Sequence, residues 1–201
     1  MPKALSESET EAFRARICSA AAKLFVEEGP AAVTMRRLAN ELACGTMTPY
    51  RYYDSKEEII TAVRTRGLNR MAEALENALH TPGDGRTRSR QVRDAYLDFA
   101  RRDTATYRLL FEYPEANRDN PAGRDAHARM WRCIAADTQA MIDEGVIEAE
   151  SPILAHQLWA ALHGAVMLEI AGLLPEGVDA AALHARTFVA LMEAARPKPR
   201  P

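Results

Sequence analysis

Apolar residues in this 201-residue chain recur at helical spacing from end to end, and no stretch shows the strict apolar/polar alternation of a half-buried strand. Such a chain is confined to all-α architectures, in which each segment buries one stripe against other helices. Breakers divide the pattern. Phe13, Ile17, Ala20, Ala21, Leu24 and Phe25 line a first helix that Gly29-Pro30 stops. Thr34 suits the N-cap of a second, with Met35, Leu38, Ala39 and Leu42 on one face. Ala43-Cys44-Gly45 reads as a turn, Thr46 to Tyr53 as a short third helix, and Asp54-Ser55 as the cap of a long fourth, from about Lys56 to Leu79. Thr81 to Arg90 reads as a polar loop. Further helices are expected around Val92–Phe99, Tyr107–Phe111 and Met130–Ile142, with a loop from Pro114 to Pro121. The last two start at Ser151-Pro152, a cap followed by a helix-starting proline, and at Asp179. About nine helices result.

This organisation suggests an N-terminal three-helix domain over residues 1–55 and a helical body over 56–195, reached through the fourth helix. The basic, proline-rich residues 196–201 read as a disordered tail. Formal net charge is −2, so any affinity for nucleic acid must come from a local patch. Three widely spaced cysteines, Cys18, Cys44 and Cys133, form neither a disulfide framework nor a metal motif and suit a reducing compartment. The N-terminus lacks the apolar core of a signal peptide. The apolar stretch Leu158–Leu174 contains His163 and Glu169 and falls short of a clean membrane span. A cytoplasmic protein without membrane contact is expected.

Thr34 to Tyr53 carries the chemistry. Two short helices joined by a three-residue turn containing glycine can seat the second helix in a DNA major groove. Pro49 and Tyr53 lie four apart and share the inward face, which leaves Thr46, Met47, Thr48, Tyr50, Arg51 and Tyr52 outward or at the edge. Their hydroxyls and the Arg51 guanidinium, with the Lys56 ammonium, can donate to phosphate oxygens. Arg36 and Arg37 stand where a backbone would cross. Between Thr34 and Lys56, four basic residues (Arg36, Arg37, Arg51, Lys56) face two acids (Glu41, Asp54), a local excess in an acidic chain. The same spacing also suits a plain three-helix core with polar decoration.

The stretch ICSAAAKLFVEEGPAAVTMRRLANELACGTMTPYRYYDSKEEIITAV resembles the N-terminal domain of the TetR/AcrR family of bacterial regulators, in order and spacing. The resemblance implies DNA contacts from Thr48 and Tyr50 in the recognition helix, Tyr52 against phosphate, Lys56 at the start of the next helix and Thr34 at the cap. Ala43, Gly45 and Met47 depart from the family's frequent Gly, Ser and Gly, and Pro49 stands in place of an aliphatic residue. These departures bear on which operator is read. Met47 projects an apolar group that either loosens packing or meets a thymine methyl.

In the body, the segment QLWAALHGAVMLEIAGLL, with Trp159, His163 and Gly164, is similar to a C-terminal domain named for a Trp-His-Gly motif in one branch of that family. Aromatic and methionine side chains offer a ligand cavity, with Met71, Tyr96, Phe99, Tyr107, Phe111, Met130, Trp131, Trp159, His163 and Met167 as candidates; such stripes also simply fill cores. By resemblance the last two helices pair with their copies in a homodimer, with His156, Val166, Ile170, Ala181, Ala185, Phe188 and Met192 as interface candidates. His156 and His163 are seven apart, too far for helical zinc ligands, so no metal and no cofactor is expected. Arg86, Arg88, Arg90 and Arg93 form a basic cluster, read as solvated or as facing an anionic headgroup. The family implies a regulator, not an enzyme: a repressor released from a palindromic operator by a small molecule. An activator, a ligand-independent regulator, and an all-helical carrier or enzyme remain as alternatives.

Overall fold

The computed structural model describes residues 6–112, 120–148 and 151–196. Among these residues lie eight α-helices, two single-turn 3-10 helices and no strand. The 3-10 turn Pro49–Arg51 stands where the third predicted helix was placed, so all nine predicted segments have counterparts. Most of the loop expected from Pro114 to Pro121, and the tail beyond Arg196, lie outside the described residues.

The helices group into two compact units, Met1–Leu68 with Ala105–His127 and Asn69–Thr104 with Ala128–Pro201. In the first unit, α1 (Glu7–Glu28) opens with a capping box in which Ser6 Oγ accepts from Glu9 N and the Glu9 carboxylate accepts from Ser6 N. It ends at Gly29, whose φ of 85° suits a residue without Cβ, and the 3-10 turn Pro30–Ala32 follows. In α2 (Met35–Glu41), Thr34 Oγ1 accepts from Arg37 N at 3.1 Å. The long α3 (Lys56–Leu79) starts in the first unit, where Ser55 Oγ accepts from Glu58 N and Glu58 Oε2 from Asp54 N. The core here joins Ile17, Leu24 and Phe25 of α1 to Leu38 of α2 and Ile59 of α3, with Leu109 from the later α5 (Thr104–Glu112). Each such side chain, fully buried, contributes about 1.5–3 kcal/mol.

In the second unit, α4 (Gly85–Arg102) is capped by Asp84, whose Oδ1 accepts from Thr87 N at 2.8 Å. It therefore covers residues 85–90, six of the ten expected to be loop. That stretch holds no apolar residue to signal periodicity, and the Asp84 cap and the helix-tolerant arginines form the turn without one. Helices α6 (Pro121–Asp143), α7 (Ser151–Ile170) and α8 (Ala180–Ala194) complete the set. Arg129 of α6 grips Glu76 of α3 through Nε at 2.8 Å and Nη2 at 2.5 Å. Glu169 accepts twice from Arg101, at 2.8 and 3.0 Å, and from Ala180 N, tying α4 and α7 to the start of α8.

Helix α7 is apolar all round. Leu154, Ala155, Leu158, Leu162, Ala165 and Val166 face the core, yet Ile153 and Leu168 are exposed. Over Pro152–Ile170 its length and mean hydropathy of 1.3 meet what a membrane span requires, more than Leu158–Leu174 suggested, and 33% of that stretch is buried. An all-apolar helix with one face uncovered has surface to bury elsewhere.

Candidate nucleic-acid interface

The 3-10 turn Pro49–Arg51 decides what the N-terminal unit presents. In a 3-10 helix, residues three apart eclipse. Pro49 and Tyr52 therefore point inward together, with Tyr53 beside them, and all three are buried. The Tyr52 ring stacks on Phe13 with centroids 4.7 Å apart, and Arg14 Nη2 donates to the Tyr52 carbonyl at 3.1 Å. The Arg14 guanidinium also lies over the Tyr53 ring, while Tyr53 Oη and Cys18 Sγ meet at 3.3 Å. Burial pushes the pKa values of both Cys18 and Tyr53 up, keeping thiol and phenol protonated.

With that inner side fixed, the outer side is left to solvent. Met47 is 68% exposed and Tyr50 47%. Thr46, Arg51, Thr34 and Arg36 are exposed, and Thr48 and Lys56 half-buried. Arg37 is exposed too, but its Nη2 lies 2.7 Å from Glu28 Oε1. The outer set is a cluster of hydroxyls, one thioether and cations on a rigid base, suited to phosphates and base edges.

The second unit encloses a small inner cavity of about 40 Å³ and a larger outer one of about 270 Å³. Tyr96, Trp159, Leu162, Asp137 and His184 are among the walls of the inner one. Trp159 Nε1 donates to Tyr96 Oη at 3.2 Å, and that hydroxyl lies 3.3 Å from His163 Nδ1. Burial raises the Asp137 pKa to about 6, against a hydrogen bond from Ser89. Burial, with the nearby Arg93 charge, lowers that of His184 to about 4.

Comparison with known families assigns both parts. Residues 17–63 match the family described as bacterial regulatory proteins, tetR family, and residues 89–194, more than half of the chain, match a tetracyclin repressor-like C-terminal domain. The chain belongs to the TetR family. This TetR-family protein is a DNA-binding transcriptional regulator. The C-terminal description carries no Trp-His-Gly designation. The regulator is 28% identical over 157 residues to the HTH-type transcriptional activator FasR of Mycolicibacterium smegmatis, a match covering 78% of this chain and 68% of FasR. Its fold is similar to a Rhodococcus protein of unknown function (TM-score 0.80, 18% identity, 98% of this chain and 100% of that one). It is also similar to a Saccharomonospora viridis protein crystallised in complex with choline (TM-score 0.74, 21% identity, 94% and 100%).

The TetR-family architecture corrects several placements. Tyr52, expected outward, is an inward anchor because the segment turns with three residues, not 3.6, per turn. Arg37 is exposed, as expected, and also pairs with Glu28, an acid that spacing on the second helix alone could not reveal. Of the ten cavity candidates, Tyr96 and Trp159 line the inner cavity. Met71 and Met130 are fully buried in the core, while Phe99, Trp131, His163 and Met167 are half-buried outside the cavity walls. Tyr107 and Phe111 pack against each other in the first unit. Asp137 and His184 were missed as cavity residues, since an isolated polar residue on a helix carries no periodic signal.

The interface candidates fall at both covered and open positions of their own chain. Val166 is buried, and Phe188 and Met192 pack against the Met141, Ile147, Leu154 and Leu158 cluster. Ile170, Ala181 and Ala185 are half-buried, and His156, exposed, lies against Trp131 with centroids 3.8 Å apart. The solvent-facing apolar stripe runs through Ile153, Ala160 and Leu168 of α7 and Ala182, Val189 and Ala190 of α8. On a helix apolar all round, heptad spacing cannot choose between the two faces.

Proposed function

We propose that this regulator works in the bacterial cytoplasm as a homodimeric repressor that leaves a palindromic operator when a small molecule enters its second unit. The observation that carries the reading is the exposed Met47–Arg51 edge on an anchored turn. Met47, Thr48 and Tyr50 meet the major groove with Thr46, while Thr34, Arg36, Arg51 and Lys56 touch the flanking backbone. Tyr52 and Arg37 position their neighbours instead of touching DNA.

The exposed apolar residues Ile153, Ala160 and Leu168 on α7 support dimerisation. So does Gly164, around whose missing Cβ nothing beyond its own helix backbone lies within 4 Å. A mid-helix glycine costs about 1 kcal/mol relative to alanine, and close approach of a second copy of α7 gives it a reason. The Saccharomonospora protein in complex with choline supports a small ligand for a body of this fold.

Selection of bound sites from random duplex DNA tests the reading. A two-fold symmetric consensus bound by a dimer is expected, as is a rise of reporter output on deleting the gene. Failure to enrich any sequence overturns operator binding, and a fall in output assigns activation.

A further inference from the structure

The outer cavity of the second unit lies between α4 and α8, and at about 270 Å³ it falls slightly below the roughly 300–1,000 Å³ of small-molecule clefts. It shares Ser89, Arg93, His184 and Phe188 with the inner cavity. Its floor is apolar, made by Val146, Ala185, Phe188, Val189 and Met192. Its rim is cationic: Arg86, Arg90 and Arg93 from α4 and Arg196 after α8, against the single acid Glu193.

Arg86 and Arg88 lie in the first turn of α4, at the positive end of the helix dipole, with the N-cap Asp84 carboxylate as the nearby acid. Arg88 is ion-paired with Glu144, and Arg93 with Asp94 at 2.6 Å. Arg86 and Arg90 are exposed and have no ion pair or hydrogen bond among the described residues. A second observation is independent of the arginines. His184 lines the same cavity, is 5% exposed, and its Nδ1 has no hydrogen-bond partner. Burial and Arg93 keep that imidazole neutral, and its hydrogen bond to the Leu158 backbone leaves Nδ1 as an acceptor, open to a ligand hydroxyl or an ordered water and not to the anionic oxygens themselves.

We propose that this groove binds a small anion-headed amphipath, a carboxylate or a phosphate monoester, with its head between Arg86 and Arg90 and its tail over Phe188 and Met192. This inference rests on the reading of the second unit as the ligand-sensing part and names the class of ligand. A cationic head meets repulsion from Arg86 and Arg90, a neutral one leaves them unserved, and a bare anion leaves the apolar floor wet.

The experiment uses the full chain with octanoate, octyl phosphate, octanol, octylamine and inorganic phosphate as probes. Calorimetry and tryptophan fluorescence report binding, since Trp159 lines the adjoining inner cavity. Octanoate or octyl phosphate should bind at least roughly tenfold more tightly than octanol, with octylamine weakest and inorganic phosphate silent. The stronger of the two anions identifies the head. Arg86→Gln/Arg90→Gln should lose roughly tenfold or more for the anions and nothing for octanol, with an unchanged melting curve. Equal binding of octanol, no binding of either anionic amphipath, or anion affinity indifferent to the double substitution overturns the proposal. Operator release is read separately. Arginine-dependent anion binding without release keeps the site and removes the inducer role, whereas release by octanol independent of the arginines does the reverse.

Discussion

Arg37 and Arg51 sit on the same DNA-facing unit, yet salt should tell them apart. The Arg37 guanidinium is compensated by Glu28 at 2.7 Å, whereas Arg36 and Arg51 are exposed with no ion pair among the described residues. If Arg36 and Arg51 each neutralise one phosphate per head, a dimer contacts about four, and log K against log salt should fall with a slope of roughly −3.6. Raising salt from about 50 to 200 mM then weakens wild-type binding roughly 150-fold. Arg51→Ala removes two contacts per dimer, leaving a slope of about −1.8 and a loss of roughly twelvefold over the same range. Arg37→Ala should keep the wild-type slope. Phosphate contacts from Lys56 shift all three slopes together and leave their differences intact. Anisotropy titrations of a labelled, selected operator across a potassium chloride series measure these slopes. Equal slopes for Arg51→Ala and wild type, or equal reductions for both alanine variants, would refute the assignment of charge.

Four further outcomes are expected. A Cβ at Gly164 meets nothing within 4 Å beyond its own helix backbone, so for Gly164→Arg circular dichroism should show an intact fold while sedimentation reports monomer. Tyr52→Ala removes a buried, stacked ring and should cost about 3 kcal/mol, lowering the melting temperature by about 6–12 °C. Tyr50→Ala should stay within about 0.5 kcal/mol of wild type in stability but lose operator affinity. His184 and Asp137 pull stability in opposite directions with pH. His184, lowered to about 4, takes up a proton on unfolding between there and about 6.5, so its contribution is full above that window and lost as pH falls through it. Asp137, raised to about 6, releases its proton on unfolding, so its contribution is full at low pH and lost as pH rises toward 6. Between about pH 4 and 6 the two offset. His184→Phe should therefore expose a fall in stability of roughly 1.4 kcal/mol per pH unit there, and Asp137→Asn a rise. Parallel profiles in thermal melts of both variants would contradict this.

Helix positions were legible wherever an apolar stripe met a cap or a breaker, as at Gly29-Pro30, Thr34, Asp54-Ser55 and Asp179. The start of α4 was not, because its first turns are arginine and polar residues held by a single Asp84 cap. The outward set Thr46, Met47, Tyr50 and Arg51 followed from composition and register. Tyr52 did not, since a helical wheel assumes 3.6 residues per turn and the chain there makes one tighter turn behind Pro49. The ion pair that engages Arg37 comes from α1, nine residues upstream, beyond any local pattern. The cavity stayed hidden for a related reason. Ser89, Asp137 and His184 belong to three helices, and only tertiary packing brings them to shared walls.

Gly67, in the middle of α3, closes a seam by having nothing to offer it. A Cβ there would stand 2.5 Å from Thr106 Cγ2 and 3.1 Å from Leu110 Cδ2, so α3 and α5 touch through a missing methyl. Relaxed contact begins about one ångström further out. The helix thus gives up roughly 1 kcal/mol of its own rigidity at the residue where its neighbour presses hardest. A single added carbon would act as a wedge, holding α5 a bond's width away with no change of charge or polarity.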